Sequence, residues 1–369
     1  MSARQVVIVG AGLSGLYAAY LLQKAGIDYV ILEARRLTGG RILAALVDPD
    51  SASGGHNRFD LGPTWFWPDY QTDLNRLVEG LGLKTFDQFE TGDTLVEQAA
   101  AQPVRRVAGY LNSPTSVRVA GSMQSLVQAL QDLLDPDRIL TGQKVRRIRQ
   151  LGDTVELESE GGVSRLITTA QQVLLAAPPR LVQATIDFDP PLPAELALQW
   201  ISTPTWMAPH AKYIAVYEHP FWRKMNLSGQ ARSAVGPMVE IHDASAAGGS
   251  AALFGFIGVP AQTRRGIPDL TMKAYCRAQL ARLFGEMAQT PEAEFLKDWA
   301  QDVHTATDAD LAQHNHAHAP APPVRPENGP WKNCVIGVAS EWSPDYPGYL
   351  AGAVDAASRG VSELAASDR

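Results

Sequence analysis

The alternation of apolar and polar stretches at the start of the chain predicts a strand, a helix and a second strand. An apolar run, Gln5–Val9, leads into Gly10-Ala11-Gly12-Leu13-Ser14-Gly15, and a helical pattern follows to about Ala25. A second apolar run, Tyr29–Leu32, ends at Glu33. The order strand, glycine turn, helix, strand and acid is typical of a fold that binds a dinucleotide.

Each part of this layout has a physical purpose. Gly10 allows a tight turn, Gly12 lets the backbone approach a pyrophosphate, and Gly15 lets the helix pack closely on the sheet. Ser14 lies in the first turn of the helix, where free N–H groups and the helix dipole favour phosphate. Glu33 can accept hydrogen bonds from both hydroxyls of an adenosine ribose. The alternative is a glycine turn in an unrelated α/β domain.

Patterns further along the chain predict an α/β fold with a second sheet. We predict an amphipathic helix from Gly121 to about Leu134, strands over Ile139–Ile148 and Thr154–Glu158, and a buried parallel-type strand over Val173–Ala177. A second sheet should lie between residue 203 and about residue 325, with helices near Leu270–Phe284. The fold class we expect is a Rossmann-type nucleotide-binding domain interleaved with an α+β domain on a mixed or antiparallel sheet.

Composition narrows the function classes. A chain of 369 residues that is 45% hydrophobic is long enough for two domains with ample cores. A net charge of −7 argues against a nucleic-acid partner. The two cysteines cannot make a disulfide framework, and no stretch reaches the ~18 apolar residues of a membrane helix. We therefore expect a cytoplasmic protein without a membrane anchor. We also expect a monomer or a homodimer.

Several motifs together resemble the flavin-containing amine oxidase family, which includes the monoamine and polyamine oxidases. Near the start these are Leu32-Glu33-Ala34-Arg35, Thr38-Gly39-Gly40-Arg41-Ile42, and Phe59-Asp60-Leu61-Gly62-Pro63-Thr64-Trp65. The resemblance implies that Glu33 binds the ribose of FAD, that Arg35 and Arg41 lie along the cofactor, and that the Gly62-Pro63-Thr64 loop lies beside the flavin ring.

The middle and the end of the chain carry further motifs of the same family. Ala211–Arg223 is similar to its lysine strand and "PFW" turn, and Glu341–Val354 is similar to its closing motif. The resemblance implies that Glu341 lies by the ribityl chain and that Tyr349 and Leu350 start the last helix against the ring. It also implies that the backbone of Val145 holds the adenine, and Trp299 is a further candidate contact with the cofactor.

The resemblance implies a function and a domain plan. The FAD-binding domain would comprise residues 1–68, 118–202 and 326–369, and the substrate domain residues 69–117 and 203–325. FAD should be bound non-covalently, because no cysteine lies about forty residues before the Gly-Tyr motif. We expect hydride transfer from an amine to flavin N5. Dioxygen should then reoxidise the flavin and be reduced to H2O2. A dihydronicotinamide oxidase, a desaturase and a non-catalytic flavin protein remain alternatives.

The candidate catalytic residues are Lys212, Tyr349 and Trp65. Lys212 is an isolated lysine in an apolar strand, and the resemblance implies that it points at flavin N5 through a water. Tyr349 would form an aromatic wall at the flavin, with Trp65 and Trp342 as lids. The segment Asp69–Ala120 is shorter than the helical region of the family, so we expect a reduced roof over the substrate cavity.

No metal is expected. His314, His316 and His318 alternate in a segment rich in Ala and Pro, and we interpret them as a surface loop, since no cysteine or HExxH pattern supports a metal site.

Overall fold

The computed structural model describes residues 4–47, 57–162, 164–312 and 320–367. In chain order the strands are β1 (Arg4–Val9), β2 (Tyr29–Glu33), β3 (Ala44–Leu46), β4 (Arg58–Asp60), β5 (Thr85–Asp87), β6 (Asp93–Glu97), β7 (Arg105–Val107), β8 (Val117–Val119), β9 (Ile139–Thr141), β10 (Lys144–Leu151), β11 (Thr154–Gly161), β12 (Ser164–Leu175), β13 (Asp187–Asp189), β14 (Ala211–Tyr217), β15 (Leu227–Ser233), β16 (Met238–Asp243), β17 (Ala251–Ile257), β18 (Ala293–Asp298) and β19 (Val335–Gly337). The α-helices are α1 (Leu13–Lys24), α2 (Thr72–Gly80), α3 (Gln124–Asp132), α4 (Pro179–Thr185), α5 (Ala194–Ser202), α6 (Phe221–Lys224), α7 (Ala261–Arg264), α8 (Asp269–Phe284), α9 (Asp308–Ala312) and α10 (Leu350–Ser367).

The chain divides into two compact units. The first contains Met1–Ile42, Leu126–Ala208 and Val303–Arg369, and the second contains Leu43–Ser125 and Pro209–Asp302. Within the described part of the chain, no helix is both long enough and apolar enough to cross a membrane.

The first unit is built on a sheet with a parallel centre. β1 pairs in parallel with β2 on one side and with the C-terminal part of β12 on the other, while β9 extends the sheet beyond β2 and β19 pairs with β12. The N-terminal part of β12 pairs antiparallel with β11, which pairs antiparallel with β10. Helix α1 directly follows the glycine turn, so its N-terminus lies at the carboxyl end of β1. This is the strand–turn–helix geometry that binds phosphate groups.

The helices predicted for this unit are confirmed, but two of its predicted strands differ in extent. The stretch Ile139–Ile148 forms two strands, β9 and β10, because Gly142, with a φ of +70°, turns the chain between them. The strand predicted from Val173 begins nine residues earlier, at Ser164. Helix α1 ends at Lys24, next to the predicted end at Ala25. Helix α3 occupies the inner part of the predicted Gly121–Leu134 helix, and β12 ends at Leu175 before the prolines.

The second unit is built on a seven-stranded mixed sheet in the order β18-β14-β17-β16-β15-β6-β7. Adjacent strands are antiparallel except β6 and β15, which are parallel. Helix α8 matches the helix expected near Leu270–Phe284, and its side chains Met272, Cys276 and Leu280 join the core with Tyr213 of β14. The segment Asp69–Ala120 forms α2 and the short strands β5 to β8.

The compact units have different boundaries from the predicted domains. Residues 43–68 and 118–125 belong to the second unit, and residues 203–208 and 303–325 to the first. One reason is that Phe59 and Leu61 pack in the core of the second unit. The assignment of one domain to FAD and the other to substrate stays a prediction.

Candidate functional site

The glycine turn after β1 forms a backbone cradle in the first unit. Gly10 has a φ of +108°, and a Cβ at Gly10 would lie 2.9 Å from the carbonyl oxygen of Ala176. A Cβ at Gly15 would lie 2.0 Å from the carbonyl oxygen of Gly10. At Gly12, by contrast, the nearest described atom to a Cβ would be the Gly39 carbonyl oxygen at 3.9 Å. Gly10 and Gly15 therefore serve the turn and the packing, whereas Gly12 keeps an open side that a pyrophosphate can approach.

The second glycine pair completes the cradle. The Gly39 N–H donates to the carbonyl oxygen of Ala11 at 2.8 Å, and Gly12 and Gly39 form a parallel bridge. Gly40 has a φ of +60°, and a Cβ there would lie 3.4 Å from the Gly12 Cα. The two glycine segments, far apart in sequence, thus lie backbone against backbone.

The predicted ribose acid is buried beside this cradle. The Glu33 side chain is 5% exposed; its Oε2 accepts from the Ala11 N–H at 2.6 Å and its Oε1 from the Arg35 N–H at 2.7 Å. The Gln143 N–H donates to the Glu33 carbonyl at 2.7 Å, which places the start of the Val145 strand next to the acid. A carboxylate can accept several hydrogen bonds, and the binding of ribose hydroxyls by Glu33 stays a prediction. Together with the open side of Gly12, this arrangement fits the adenosine half of a dinucleotide.

Arg41 links the second glycine pair to the closing motif. Its guanidinium forms a bidentate pair with Glu341, at 2.6 and 3.0 Å, and also donates to Ser340 Oγ at 3.2 Å. A fourth donation goes to the carbonyl oxygen of Trp206 at 3.3 Å. Bidentate pairs of arginine and carboxylate are among the strongest in proteins, so the two motifs are held firmly together.

The other predicted residues of the first unit lie around these groups. Arg35 donates to Thr305 Oγ1 at 3.0 Å. Ser14 is buried in the first turn of α1, Ala34 is half-buried directly after Glu33, and Val145 is buried in the core of the unit. Leu350 begins α10, preceded by the half-buried Tyr349, whose ring lies 5.8 Å from the ring of Trp206. Trp206 is not among the residues that the sequence predicts for the site.

Lys212 is the predicted catalytic lysine of the second unit, and it is buried. Every residue of β14 is buried, and Lys212 is 3% exposed. Its Nζ donates to Thr64 Oγ1 at 2.6 Å and to the carbonyl oxygen of Gly62 at 3.2 Å, and it lies 4.0 Å from the centroid of the Phe254 ring. The lysine thus fixes the Gly62-Pro63-Thr64 loop from inside the unit.

Two further charged side chains, Asp60 and Arg118, affect the pKa of Lys212. Burial lowers the pKa of Lys212 from its ordinary value; Asp60 opposes the shift and Arg118 adds to it. Burial also raises the pKa of Asp60, against the effect of Lys212 and Arg118. Arg118 donates to the carbonyl oxygens of Ser245 and Ala244 at 2.9 and 3.1 Å. The buried lysine can therefore release its proton at a lower pH than an exposed one.

The aromatic candidates have different environments. Trp65 is half-buried; its Nε1 donates to Gln88 at 2.8 Å and its ring packs on His242 and Phe254. Trp299 is buried, and its Nε1 donates to the Leu61 carbonyl at 3.1 Å, which supports the same loop that Lys212 holds.

Trp342 is not a lid. Its side chain is 1% exposed in the core of the first unit, packs edge-to-face on Trp200 and donates to the Pro323 carbonyl at 3.2 Å. The expectation was wrong because the residue type alone does not distinguish a core tryptophan from an exposed one. The His314–His318 loop lies outside the described residues, and in the part of the chain that is described no cluster of three or more His, Cys, Asp or Glu side chains could hold a metal.

The glycine cradle, the buried acid and the parallel sheet define the first unit as a dinucleotide-binding domain of the Rossmann type. A profile of NAD(P)-binding Rossmann-like domains matches residues 8–81, and the profile of flavin containing amine oxidoreductases matches residues 106–365. The chain therefore belongs to the flavin-containing amine oxidase family, as its motifs suggested. It is an FAD-dependent oxidoreductase of the amine oxidase type.

Individual proteins that are similar to this chain in sequence are also named as amine oxidases. Putrescine oxidase of Kocuria rosea is 26% identical over 436 residues, which cover 87% of this chain and 89% of that protein. A putative flavin-containing monoamine oxidase of Mycobacterium tuberculosis is 31% identical over 278 residues, which cover 72% of this chain and 56% of that protein.

Solved structures share the fold. A putrescine oxidase variant superposes with a TM-score of 0.80 at 21% identity and 99% coverage of both chains. Cyclohexylamine oxidase of Brevibacterium oxydans superposes with a TM-score of 0.79 at 18% identity and full coverage of both chains. The expected fold class is confirmed.

Proposed function

We propose that this protein oxidises an amine at the carbon next to nitrogen and uses dioxygen as the electron acceptor. Bound FAD would supply the chemistry: it accepts a hydride equivalent at N5 and passes two electrons to dioxygen, which leaves as hydrogen peroxide. The amine becomes an imine, and water converts the imine into a carbonyl compound and ammonia. The observation that carries the proposal is the buried Lys212 and the groups that hold it.

The first unit supplies the residues that would hold the cofactor. Glu33 would bind the adenosine ribose, and the backbone at Gly12 and Gly39 would receive the pyrophosphate, assisted by the N-terminus of α1. The pair of Arg41 and Glu341 would present one polar surface along the cofactor, since each fixes the orientation of the other.

Lys212 would serve the oxygen half of the reaction. Its ammonium lies in surroundings lined by Phe254 and Phe256, where a positive charge acts over a low dielectric. A cation so placed favours negative charge that develops on oxygen. The lowered pKa also lets the Nζ atom give up a proton and take it back near neutral pH. Thr64 and the Gly62 carbonyl keep the Nζ in one position during both events.

Tyr349 and Trp65 would orient the substrate. Both rings are half-buried, and aromatic faces attract ammonium groups as well as alkyl chains. Neither residue needs to form a covalent bond, because the redox chemistry belongs to the cofactor.

The proposal is tested with a panel of amines, amino acids and reduced nicotinamides. Under anaerobic conditions the visible band of the flavin should bleach with at least one amine. In air the same amine should give peroxide and ammonia in equal amounts. Bleaching by a reduced nicotinamide alone, without ammonia from any amine, would overturn the proposal.

A further inference from the structure

Asn328 and Gly329 form an exposed Asn-Gly dipeptide in the segment before β19. It is the single Asn-Gly pair of the sequence, and both residues are exposed. Gly329 has a φ of +81°, in the left-handed region that favours glycine. A Cβ at Gly329 would meet no described atom within 4 Å, so that side of its backbone is open. The dipeptide thus lies in a glycine turn at the surface of the first unit.

The two groups of this dipeptide that could react with each other are both available. Within the described part of the chain, neither the Gly329 N–H nor the Asn328 side chain has a hydrogen-bond partner. The Lys332 N–H donates at 3.4 Å to the Gly329 carbonyl, which leaves the Gly329 N–H unused. A backbone nitrogen that no carbonyl holds can approach the preceding side chain, and glycine has no Cβ to obstruct that approach.

The other described asparagines lack one or both of these properties. In three of them a hydrogen bond holds the side chain: Asn57 is held by Ser250, Asn75 by Glu79 and Asn112 by Glu90. Asn226 is followed by the buried, branched Leu227. Asn333 is exposed, but the N–H of the next residue, Cys334, donates to the Trp331 carbonyl at 3.2 Å. Among the described asparagines, an exposed side chain and an unobstructed nitrogen therefore occur together at Asn328.

We propose that Asn328 is a site of spontaneous covalent modification, at which the asparagine becomes aspartate or isoaspartate. The Gly329 nitrogen loses its proton to hydroxide and bonds to Cγ of Asn328, while the side-chain nitrogen takes a proton from water and leaves as ammonia. Water then opens the five-membered imide. Cleavage at Cγ gives aspartate, and cleavage at the main-chain carbonyl carbon gives isoaspartate. Water is the sole co-reactant, no electrons are transferred, and the step is independent of the proposed amine oxidation.

The modification changes the charge and the backbone of the segment that leads into β19. Either product adds one negative charge to the net charge of −7. Isoaspartate also inserts a methylene group into the main chain, three residues before Trp331. Trp331 is fully buried, and its Nε1 donates to the Pro190 carbonyl at 2.9 Å. Because this anchor lies beyond the altered bond, we expect the modified protein to stay folded.

The experiment follows the reaction in the FAD-loaded protein by peptide mass spectrometry during incubation at 37 °C and pH 8. Trypsin cleaves after Lys332 and so places Asn328 and Asn333 in different peptides. The replacement of NH2 by OH gives the mass change, and a methyltransferase specific for isoaspartate labels that product. Asn328→Gln removes the reactive residue, since glutamine would have to form a six-membered ring, and Asn333→Gln is the matched control. A parallel incubation in urea gives the rate in the unfolded chain.

We expect Asn328 to convert at least about tenfold faster than Asn333 in the folded protein, which corresponds to ~1.4 kcal/mol of barrier. The rate at Asn328 should rise with pH, because hydroxide removes the proton, and it should lie within about fivefold of the rate in urea. Asn328→Gln should remove the isoaspartate label from this peptide, and Asn333→Gln should leave it unchanged. A rate at Asn328 no greater than that at Asn333, or a rate in the fold more than about fivefold below that in urea, would overturn the inference.

Discussion

Lys212 combines burial with a side chain that can carry a proton. Replacing it with Met keeps the volume of the side chain and removes the charge. We expect Lys212→Met to retain FAD and to slow reoxidation of the reduced flavin at least about tenfold, which corresponds to ~1.4 kcal/mol of barrier. Stopped-flow mixing of the reduced enzyme with oxygenated buffer measures this rate.

The matched control is Lys273→Met in the same unit. Lys273 donates to the Glu294 carbonyl on the edge strand β18 at 3.2 Å. This variant should reoxidise at the wild-type rate. A wild-type rate in Lys212→Met would assign the lysine a purely structural role.

The buried Lys212 also makes stability depend on pH. Its pKa in the fold lies below the ordinary value of 10.5, so the unfolded chain binds more protons in the interval between the two. Stability from this group therefore rises with pH across that interval. The raised pKa of Asp60 acts in the opposite sense: its contribution is present in acid and is lost as pH rises through the raised value.

Comparison of the wild type with Lys212→Met isolates the pH dependence of stability that Lys212 contributes at alkaline pH. We expect the difference in free energy of unfolding to shift in favour of the wild type between pH 7 and pH 10, as measured by urea denaturation. A difference that stays constant over this range would mean that Lys212 titrates normally in the fold.

Glu33 is the residue on which retention of the cofactor should depend most. Glu33→Ala removes a charge-assisted acceptor, worth about 1.5–3 kcal/mol, and should weaken FAD binding by about tenfold or more. The exposed Glu79→Ala on α2 serves as the control. Dialysis followed by measurement of bound flavin gives the result, and equal retention in both variants would contradict the assignment.

Some of these residues could be identified from the sequence and others could not. Lys212 was identifiable because a lone lysine in an apolar strand is unusual, and the glycines were identifiable because their spacing follows from local backbone geometry. Trp206 gave no signal, because its position depends on Gly348 and Arg41, which are distant in sequence. Burial separates Trp342 from Trp206, and only the packing of the whole unit determines burial.

At the scale of elements, one buried ion pair joins three helical segments of the first unit. Arg180 at the start of α4 pairs with Asp310 of α9 at 2.6 Å, and it also donates to the Ile201 and Ser202 carbonyls at the end of α5. Both side chains are almost fully buried. Loss of one partner leaves an uncompensated charge in the interior.

We expect Asp310→Ala to lower the free energy of unfolding by about 3–5 kcal/mol. The double variant Arg180→Met, Asp310→Leu should recover part of this loss, because it removes both charges. As a control, Arg359→Met removes an exposed guanidinium that pairs with Asp345 and Asp355, and it should cost less than about 1 kcal/mol. Chemical denaturation measures all four proteins, and a loss below 1 kcal/mol for Asp310→Ala would refute the role of the pair.

At the scale of the whole molecule, the cysteines bear on how FAD is attached. Cys276 is buried in the core of the second unit and Cys334 in that of the first. Burial raises the pKa of both thiols, so both are weak nucleophiles. We expect acid precipitation of the yellow protein to release FAD into the supernatant. Flavin that remains in the pellet would contradict non-covalent binding.

The strand order in the sheet of the first unit determines when this sheet can form during synthesis of the chain. β1 and the glycine cradle leave the ribosome before β12, which flanks β1 and lies more than a hundred residues later, and β19 and the helix α10 follow later still. Contacts between remote segments form slowly, because the intervening loop must close first. Nascent chains arrested before β19 should therefore fail to hold the flavin, and cofactor loading should follow the synthesis of β19.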